Sequence, residues 1–465
     1  MPVLLSETHQ DAHSAPPLTG VFERFQRAVS QQCVTDLLRG QSVFSREGPL
    51  SAWIVIWLIL FQRLHALGTL AVAVRELQTG SVKDSINWGK RPPRRLSAST
   101  SAYSQARSRL PLQVAEQVGD LIFASLWEAK NVAGVPGPVF LLDGSSLQTR
   151  HSPELVEAFP PMRNQHDISH WPVLRVLVAH EVISGLAVRP CWGPLRGDEA
   201  VSEQGLAKDL LGRLPPGSGV LGDRNFGVFS VAYHAQQHSR PCLFRLTKPR
   251  AQKLNGGQCP ISATDKPVVW IPSRDDRRTN PEIPSMASVS GRLLVVRLQG
   301  GKRQKIYFFT TFDLPPATLL ELYGYRWNIE TDLRWLKRQV RLHMIEAESK
   351  AMVEKELVLA VAAYNLTRAT MNEAAAALKV EPRQLSFSLV QNTINAFLPL
   401  LASAQTALAR QALLADMFHF LAYSQLPRRR KRRSTPREVW PRTQPFPRRK
   451  RITTPTPQAR KKNVP

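Results

Sequence analysis

Cysteine is scarce in this chain, and the few cysteines present form no recognisable site. The 465 residues contain four cysteines and no C-x-x-C pair. This excludes a small disulfide-stapled domain and a zinc finger, and it favours a reducing, cytosolic setting. His166 and His170 are four residues apart, but the glutamate that follows the first histidine of a zinc protease is missing. We therefore expect loop histidines there rather than a metal site.

Long apolar runs and nucleotide-binding motifs are also missing. The most apolar run, Ala52 to Phe61, is followed by polar residues and has about half the length that spans a bilayer, so it predicts a buried core helix. The first residues lack the positive region of a signal peptide. No G-x-x-x-x-G-K or G-x-G-x-x-G sequence occurs, which leaves nucleotide hydrolysis without support. We expect a cytoplasmic protein that does not act at a membrane.

Acidic residues are too few to balance the basic ones. The chain has 36 acids against 62 Lys and Arg, and its formal net charge is +26. Residues 428–465 alone carry 15 Lys and Arg and one acid, Glu438. This tail has no apolar face that would bind a lipid surface, so nucleic acid is the expected partner. The tail is predicted to be disordered until bound and to give strong, salt-sensitive DNA binding.

The hydrophobic fraction of 43% indicates a folded chain, and its pattern changes along the length. Apolar residues recur at helical spacing from about Val21 to Leu126, whereas short apolar runs typical of strands begin at Val139. Residues 248–312 read as strands without helices, with a hairpin turn at Gly300 and Gly301. The sequence thus predicts an α/β protein in five parts: 1–135 helical and DNA-binding, 136–247 a sheet core, 248–313 a β-rich insertion, 314–426 helical, and 427–465 a basic tail.

One stretch, YGYRWNIETDLRWLK from Tyr323 to Lys337, predicts a helix with a charged face. At about 100° per residue, Tyr323, Arg326, Glu330, Arg334 and Lys337 fall within one arc of roughly 80°. A separate apolar stripe would seat this helix on a core. The face is equally consistent with exposed pairs of Glu330 with Arg326 or Arg334, and with a metal-binding carboxylate among phosphate-binding cations.

Two aspartates upstream favour the second interpretation. Asp143 and Asp223 each end an apolar run and precede a turn signal, in VFLLDG and SGVLGDRNFG. Strand ends at one sheet edge are where sites assemble, although single aspartates at such positions are also common turn formers. Three carboxylates without His or Cys suit Mg²⁺, with Mn²⁺ as a substitute. A pair of such ions supports phosphoryl transfer.

The Y-x2-R-x3-E-x6-K spacing, preceded by D-G-S and D-R-N-F, resembles the DDE transposases of bacterial insertion sequences that carry the Y-R-E-K signature. The resemblance covers most of residues 137–387, including GPLRGDEAVSE and LAVAAYNLTRATMNEAA, and SQARSRLP resembles the N-terminal domain of these enzymes. Ser145 and Asn225 depart mildly from the usual pattern. The resemblance implies an RNase H-like core interrupted by the β-rich insertion, and about 107 residues do separate Asp223 from Glu330.

The resemblance also implies cut-and-paste transposition through strand nicking, a DNA hairpin and strand transfer, by a homodimer on double-stranded DNA at the element's terminal inverted repeats and the target. It assigns Asp143, Asp223 and Glu330 to catalysis and metal binding, and it assigns DNA contacts to Tyr323, Arg326, Lys337, Arg334, Arg224 and Tyr307. In this family an aromatic stacks on a flipped base, for which Tyr307 is our candidate and Trp270 the second choice. A catalytically silent DNA-binding relic and a plain metal-dependent nuclease remain as alternatives.

Overall fold

A computed structural model of the chain describes residues 18–426, except 41–43, 45–47, 66, 91–94, 164–167, 262, 298–304 and 344. The predictions for the basic tail, for His166 and for a turn at Gly300 and Gly301 lie outside the described residues.

The N-terminal part is helical, as its periodicity predicts. Its elements are α1 (Val21–Ala28), α2 (Gln31–Leu37), α3 (Ala52–Leu64), α4 (Leu70–Thr79), α5 (Ser101–Arg109) and α6 (Leu112–Leu126), with one 3₁₀ turn at Lys83–Ser85. Every residue of α3 is buried, because this helix is apolar on all sides. The most apolar run of the sequence is therefore a core helix, as predicted.

Within the described residues, nine strands form one mixed sheet. They are β1 (Val139–Gln148), β2 (Pro161–Arg163), β3 (Ile168–Glu181), β4 (Cys191–Pro194), β5 (Gly219–Gly222), β6 (Cys242–Leu246), β7 (Asp265–Trp270), β8 (Val289–Arg297) and β9 (Lys305–Thr310). The order is β2-β3-β1-β5-β6-β9-β8-β7, with β4 also paired to β3. Strands β1, β5 and β6 are parallel, and the other pairings are antiparallel. The α/β class is confirmed.

One prediction about the β-rich insertion is wrong, because residues 248–313 contain two helices as well as strands. Strand β9 pairs with β6, so β7, β8 and β9 extend the central sheet. The helices between the strands are α7 (Pro153–Ala158), α8 (Glu203–Arg213), α9 (Phe229–Gln237), α10 (Lys248–Leu254) and α11 (Arg274–Thr279). Both unforeseen helices, α10 and α11, have one or two turns, too few to show a helical period in the sequence.

The C-terminal part begins with the helix that carries the Y-R-E-K residues, and this helix is broken. Its two parts are α12 (Pro316–Gly324) and α13 (Trp327–Arg338). At the joint, the amides of Tyr325, Arg326 and Asn328 donate three residues back instead of four, which is 3₁₀ geometry. The prediction of one continuous helix was therefore wrong. Three helices follow: α14 (Lys350–Ala377), α15 (Phe387–Ser403) and α16 (Ala407–Ala422).

The sheet has a helical layer on each side. One face, which we call the first face, carries Leu141, Leu221 and Leu243 and belongs to a core shared with α13, α14 and the N-terminal helices. The other, the second face, carries Phe140 and Phe244 and packs against α8, α9 and α10. Because the N-terminal helices share the first core, they are packed against the rest of the described chain. None of the described helices is long and apolar enough to cross a membrane.

Candidate active site

Asp143 and Asp223 lie side by side on the first face of the sheet. Leu141 of β1 pairs with Leu221 of β5, and each aspartate follows its leucine by two residues, so both point to the same face. Neighbouring strands are about 5 Å apart. Asp223 follows the end of β5, as predicted. Asp143 does not end its strand, because β1 continues to Gln148 on its pairing with β3.

A third residue, Arg245 on β6, completes this row. Leu221 pairs with Leu243, and Arg245 follows Leu243 by two, the same offset that separates the aspartates from their leucines. The sequence analysis missed Arg245. Its signal was the single charge inside the apolar strand CLFRL, at the same distance along the strand as the two aspartates.

The acids of the site influence each other. Burial and the nearby charges of Asp223 and Glu203 raise the pKa of Asp143 to about 7, against a hydrogen bond from the Gly144 amide and the charge of Arg326. Asp143 also acts on Lys337, whose pKa burial lowers and this carboxylate raises. The charges of Asp143, Asp223, Arg326 and Lys337 therefore act on one another.

Glu203 is a fourth carboxylate that sequence reasoning did not find. It begins α8 and lies against Gly144, where an added Cβ would overlap its carboxyl group. Asn225 donates its side-chain amide to Glu203, and its backbone amide donates to Asp223 Oδ1 at 2.7 Å. Asn225, which departs from the usual pattern of the resembling family, thus has a partner in this chain. Nothing local marks Glu203, because its contacts arise from chain folding.

Tyr323 brings a buried hydroxyl to the same place. Its ring packs edge-on against Phe308, with ring centroids 4.7 Å apart. Burial raises the pKa of Tyr323, against the nearby charges of Arg326 and Arg245. Among the described residues, its hydroxyl has no hydrogen-bond partner of normal geometry. A buried donor left without a partner beside two arginines is suited to an anion.

Glu330 is placed near these cations but is not grouped with the aspartates. Arg326 Nη2 lies 3.3 Å from Glu330 Oε1, so the helical pair considered in the sequence analysis is present. In the described part of the chain, no three Asp, Glu, His or Cys side chains converge closely enough to hold a metal ion. Asp143 and Asp223 supply adjacent hard oxygen donors that suit Mg²⁺ or Mn²⁺, and Glu330 would have to turn towards them to complete a three-acid set.

The remaining predicted residues lie outside this group. Arg334 is exposed on α13, and Arg224 is exposed in the turn after Asp223. The rings of Tyr307 and Trp270, 9% and 7% exposed, belong to the core on the second face. The structure thus places neither aromatic candidate beside the carboxylates. Trp327, the residue that follows Arg326, is an exposed aromatic, with 58% of its surface accessible.

Two comparisons with known proteins agree with this site. Residues 135–366 match the family described as Transposase DDE domain, a range that contains β1, β5, β6 and α13. This match defines the class of the protein: it is a DDE transposase, an enzyme that cleaves and transfers DNA strands. The chain is also 25% identical over 448 residues to the Transposase InsG for insertion sequence element IS4 of Escherichia coli (strain K12), which covers 93% of this chain and 94% of that protein. The chain belongs to the DDE transposases of insertion sequences.

Proposed function

We propose that this enzyme carries out cut-and-paste transposition of an insertion sequence, with Asp143, Asp223 and Glu330 as its catalytic acids. The observation that carries the proposal is the row of Asp143, Asp223 and Arg245 facing the Y-R-E-K residues of α12 and α13. Acids and cations meet on one side of one sheet, which is the arrangement needed to hold both a divalent ion and the phosphate it acts on.

The cations of the site would hold the DNA backbone. Arg245, Arg326 and Lys337 supply positive charge, and the buried Tyr323 hydroxyl supplies a donor whose proton has no acceptor among the described residues. Phosphate oxygens accept such bonds strongly, and contacts of this kind fix the register of the DNA without reading its sequence.

Arg326 links phosphate binding to the placement of Glu330. In the protein alone, Arg326 pairs with Glu330 at 3.3 Å. A DNA phosphate that takes over this guanidinium would release Glu330, which is then free to turn towards Asp143 and Asp223. Three acids would converge only when DNA is bound, so the site would be assembled by its own substrate.

The chemistry would be a series of in-line displacements at phosphorus. Mg²⁺ held by the acids would lower the pKa of the attacking water and stabilise the leaving oxygen. Water attacks the phosphodiester at the element's end and the 3′-oxygen leaves. That 3′-hydroxyl would then attack the opposite strand, expelling the 3′-oxygen of the flanking DNA and closing a hairpin. Water would open the hairpin at the same phosphate and free the 3′-hydroxyl again. This hydroxyl would finally attack a target phosphodiester, with a 3′-oxygen of the target as the leaving group. Trp327, which is exposed and follows Arg326, is a better candidate than the buried Tyr307 or Trp270 to stack on a flipped base.

The test is cleavage of a supercoiled plasmid that carries the element's own ends, with Mg²⁺. The wild type is compared with Asp143→Asn, Asp223→Asn and Glu330→Gln, and with Glu321→Gln as an exposed acid on α12. We expect excision with hairpin and joined products, lost by about 10³-fold or more in the three site variants, and unchanged in the control.

The products separate the alternatives. Hydrolysis without hairpin or joining would indicate a nuclease, and metal-independent binding without cleavage would indicate a relic. If Glu330→Gln cleaves as well as the wild type, Glu330 is a surface ion-pair residue and the three-acid assignment is wrong. Two ends joined in one complex imply a homodimer, which sizing of the protein–DNA complex would show.

A further inference from the structure

The helix that carries Glu330 also carries a fully buried carboxylate on its opposite side. Asp332 is 0% exposed and lies two residues after Glu330 in α13. Two residues correspond to about 200° around a helix. Glu330 and Arg326 therefore occupy the side of α13 towards the cations of the site, and Asp332 the side towards the protein interior. Asp332 was not noticed in the sequence, where it reads as part of ETDLR.

The carboxylate of Asp332 is held by an arginine from beyond α14. Asp332 Oδ2 accepts a hydrogen bond from Arg383 Nη2 at 2.6 Å. The other terminal nitrogen of Arg383 donates to the carbonyl oxygens of Val182 and Ile183, at 2.5 and 3.2 Å. A single guanidinium thus fixes α13 to the loop that follows β3. Because β3 pairs with β1 across Asp143, this loop is an extension of the sheet that carries the aspartates.

A second buried arginine repeats the connection one turn away. Arg368 of α14, 0% exposed, donates twice to the Ser184 carbonyl, at 3.0 and 2.8 Å. Its guanidinium lies 5.4 Å from the ring centre of Trp335 in α13. The turn is shaped for it: Gly185 has φ +71°, and a side chain there would overlap Arg368. His180 and Tyr364 close the cluster, and both bond the Gly185 carbonyl.

Attaching α13 through these buried charged groups has a cost in folding free energy. Burial of the charges costs free energy that the ion pair only partly returns, and apolar residues of the same volume often stabilise as well or better. Hydrogen bonds between charged groups are, however, directional. An apolar stripe such as Ile329, Leu333 and Leu336 tolerates small rotations of the helix, whereas the bond from Arg383 to Asp332 does not.

The segments on either side of α13 are not regular helix, so they do not fix the rotation of α13 about its own axis. It begins at the 3₁₀ joint after Gly324 and ends shortly before Arg341, whose φ is +59°. A rotation by one residue corresponds to about 100° and would move Glu330 away from the aspartates. The bond of Asp332 to Arg383 on the buried side of α13 can therefore set the direction of Glu330 on the opposite side.

We propose that Asp332 is a positioning residue: its buried pair with Arg383 sets the rotation of α13 and, through it, the direction of Glu330. This inference rests on the proposed role of Glu330, and its test includes a measurement that does not depend on that role. The variants, all in the full chain, are Asp332→Asn, which keeps the shape and removes the charge, and Asp332→Glu, which keeps the charge and moves it by one methylene. The control is Glu373→Gln, which breaks the pair that Glu373 of α14 forms with Arg24 of α1.

The first readout is amide hydrogen exchange, followed by mass spectrometry of peptides from residues 327–338. In Asp332→Asn we expect exchange in α13 to be faster by about tenfold or more, with β1 and β5 unchanged. The control should not alter α13. Equal exchange of α13 in Asp332→Asn and the control would overturn the proposal, whether or not the enzyme transposes DNA.

The second readout is the single-turnover rate of plasmid nicking at a saturating concentration of enzyme. It is measured at a temperature below the unfolding midpoint of every variant. Misplacement of a catalytic group by about 1 Å costs on the order of 100-fold, so we expect a loss of that size in Asp332→Asn with DNA affinity unchanged. If Asp332→Asn does not fold, Asp332→Glu decides, and nicking by it at the wild-type rate would overturn the proposal. If the wild type does not nick the plasmid, but exchange in α13 is faster in Asp332→Asn as expected, the proposed function is refuted and Asp332 is still the residue that orients α13.

Discussion

At the scale of single residues, Arg245 belongs to the site although it is not part of the Y-R-E-K motif. It lies in the row with Asp143 and Asp223 and its charge acts on the Tyr323 hydroxyl. Within the described residues it forms no ion pair with a carboxylate, whereas Arg326 is paired with Glu330. A basic side chain beside a buried donor is expected to contact a phosphate.

We therefore predict that Arg245→Ala weakens DNA binding by about 1–2 kcal/mol and lowers the slope of log affinity against log salt by about one unit. Fluorescence anisotropy on an end-containing duplex over a range of salt concentrations measures both. Arg278→Ala, which removes an exposed arginine of α11, is the matched control. An unchanged slope in Arg245→Ala would mean that Arg245 makes no phosphate contact.

At the scale of elements, one buried carboxyl group connects two N-terminal helices. Glu76 of α4 accepts from the indole of Trp57 in α3 at 3.0 Å and from the Ser81 amide at 2.9 Å. Gly80 leaves room for it, since a side chain there would overlap the carboxyl group. Burial raises the pKa of Glu76 to about 7, although these hydrogen bonds lower it. The acid is therefore more easily accommodated protonated than charged.

The sign of the resulting pH dependence follows from the raised pKa. Protonation of Glu76 favours the folded state. Its contribution to the free energy of unfolding is therefore complete below about pH 4.5, the pKa in the unfolded chain, and is lost as the pH rises towards 7. Glu76→Gln keeps an acceptor for Trp57 and Ser81 and removes the charge. We predict that this variant gains about 2–3 kcal/mol of unfolding free energy relative to the wild type between pH 5 and pH 8. Urea titrations at both pH values measure it, and a difference independent of pH would contradict it.

At the scale of the whole molecule, buried charges join the N-terminal helices to α14. Glu356 is paired with both Arg63 of α3 and Arg107 of α5. The neighbouring Lys355 donates to the carbonyls of Arg107, Ser108 and Leu110 at 2.8–3.0 Å. Arg107, in the segment SQARSRLP, is therefore engaged within the protein. The part of the chain for which we predicted a DNA-binding domain is fixed to the helix behind the active site.

We predict that Glu356→Gln destabilises the protein by about 3–5 kcal/mol, because it leaves two arginines buried without a carboxylate. Since the N-terminal helices and α14 share one core, the loss should appear as one transition at a lower temperature in calorimetry. Glu381→Gln, an exposed acid, is the control. Two separate transitions would show that the N-terminal helices unfold on their own.

The sequence by itself determined the α/β class and the identity of α3 as a core helix, and it predicted one site of Asp143, Asp223 and Glu330 among the cations of the Y-R-E-K segment. These features depend on short-range patterns: apolar runs that make buried strands, an all-apolar helix, and residue spacings along one helix. The Y-R-E-K spacing was informative because it is a local pattern, although the structure divides its residues between α12, the joint and α13.

Only the tertiary structure decided the rest, because the remaining contacts join residues far apart in the chain. Strand pairing placed Arg245 beside Asp223 and continued β1 beyond Asp143. The same pairing put the ring of Tyr307 on the second face of the sheet. Chain folding brought Glu203 against Gly144 and Arg383 to Asp332. A local pattern records which way a side chain points from its own element, but the partner it meets is set by how the elements pack.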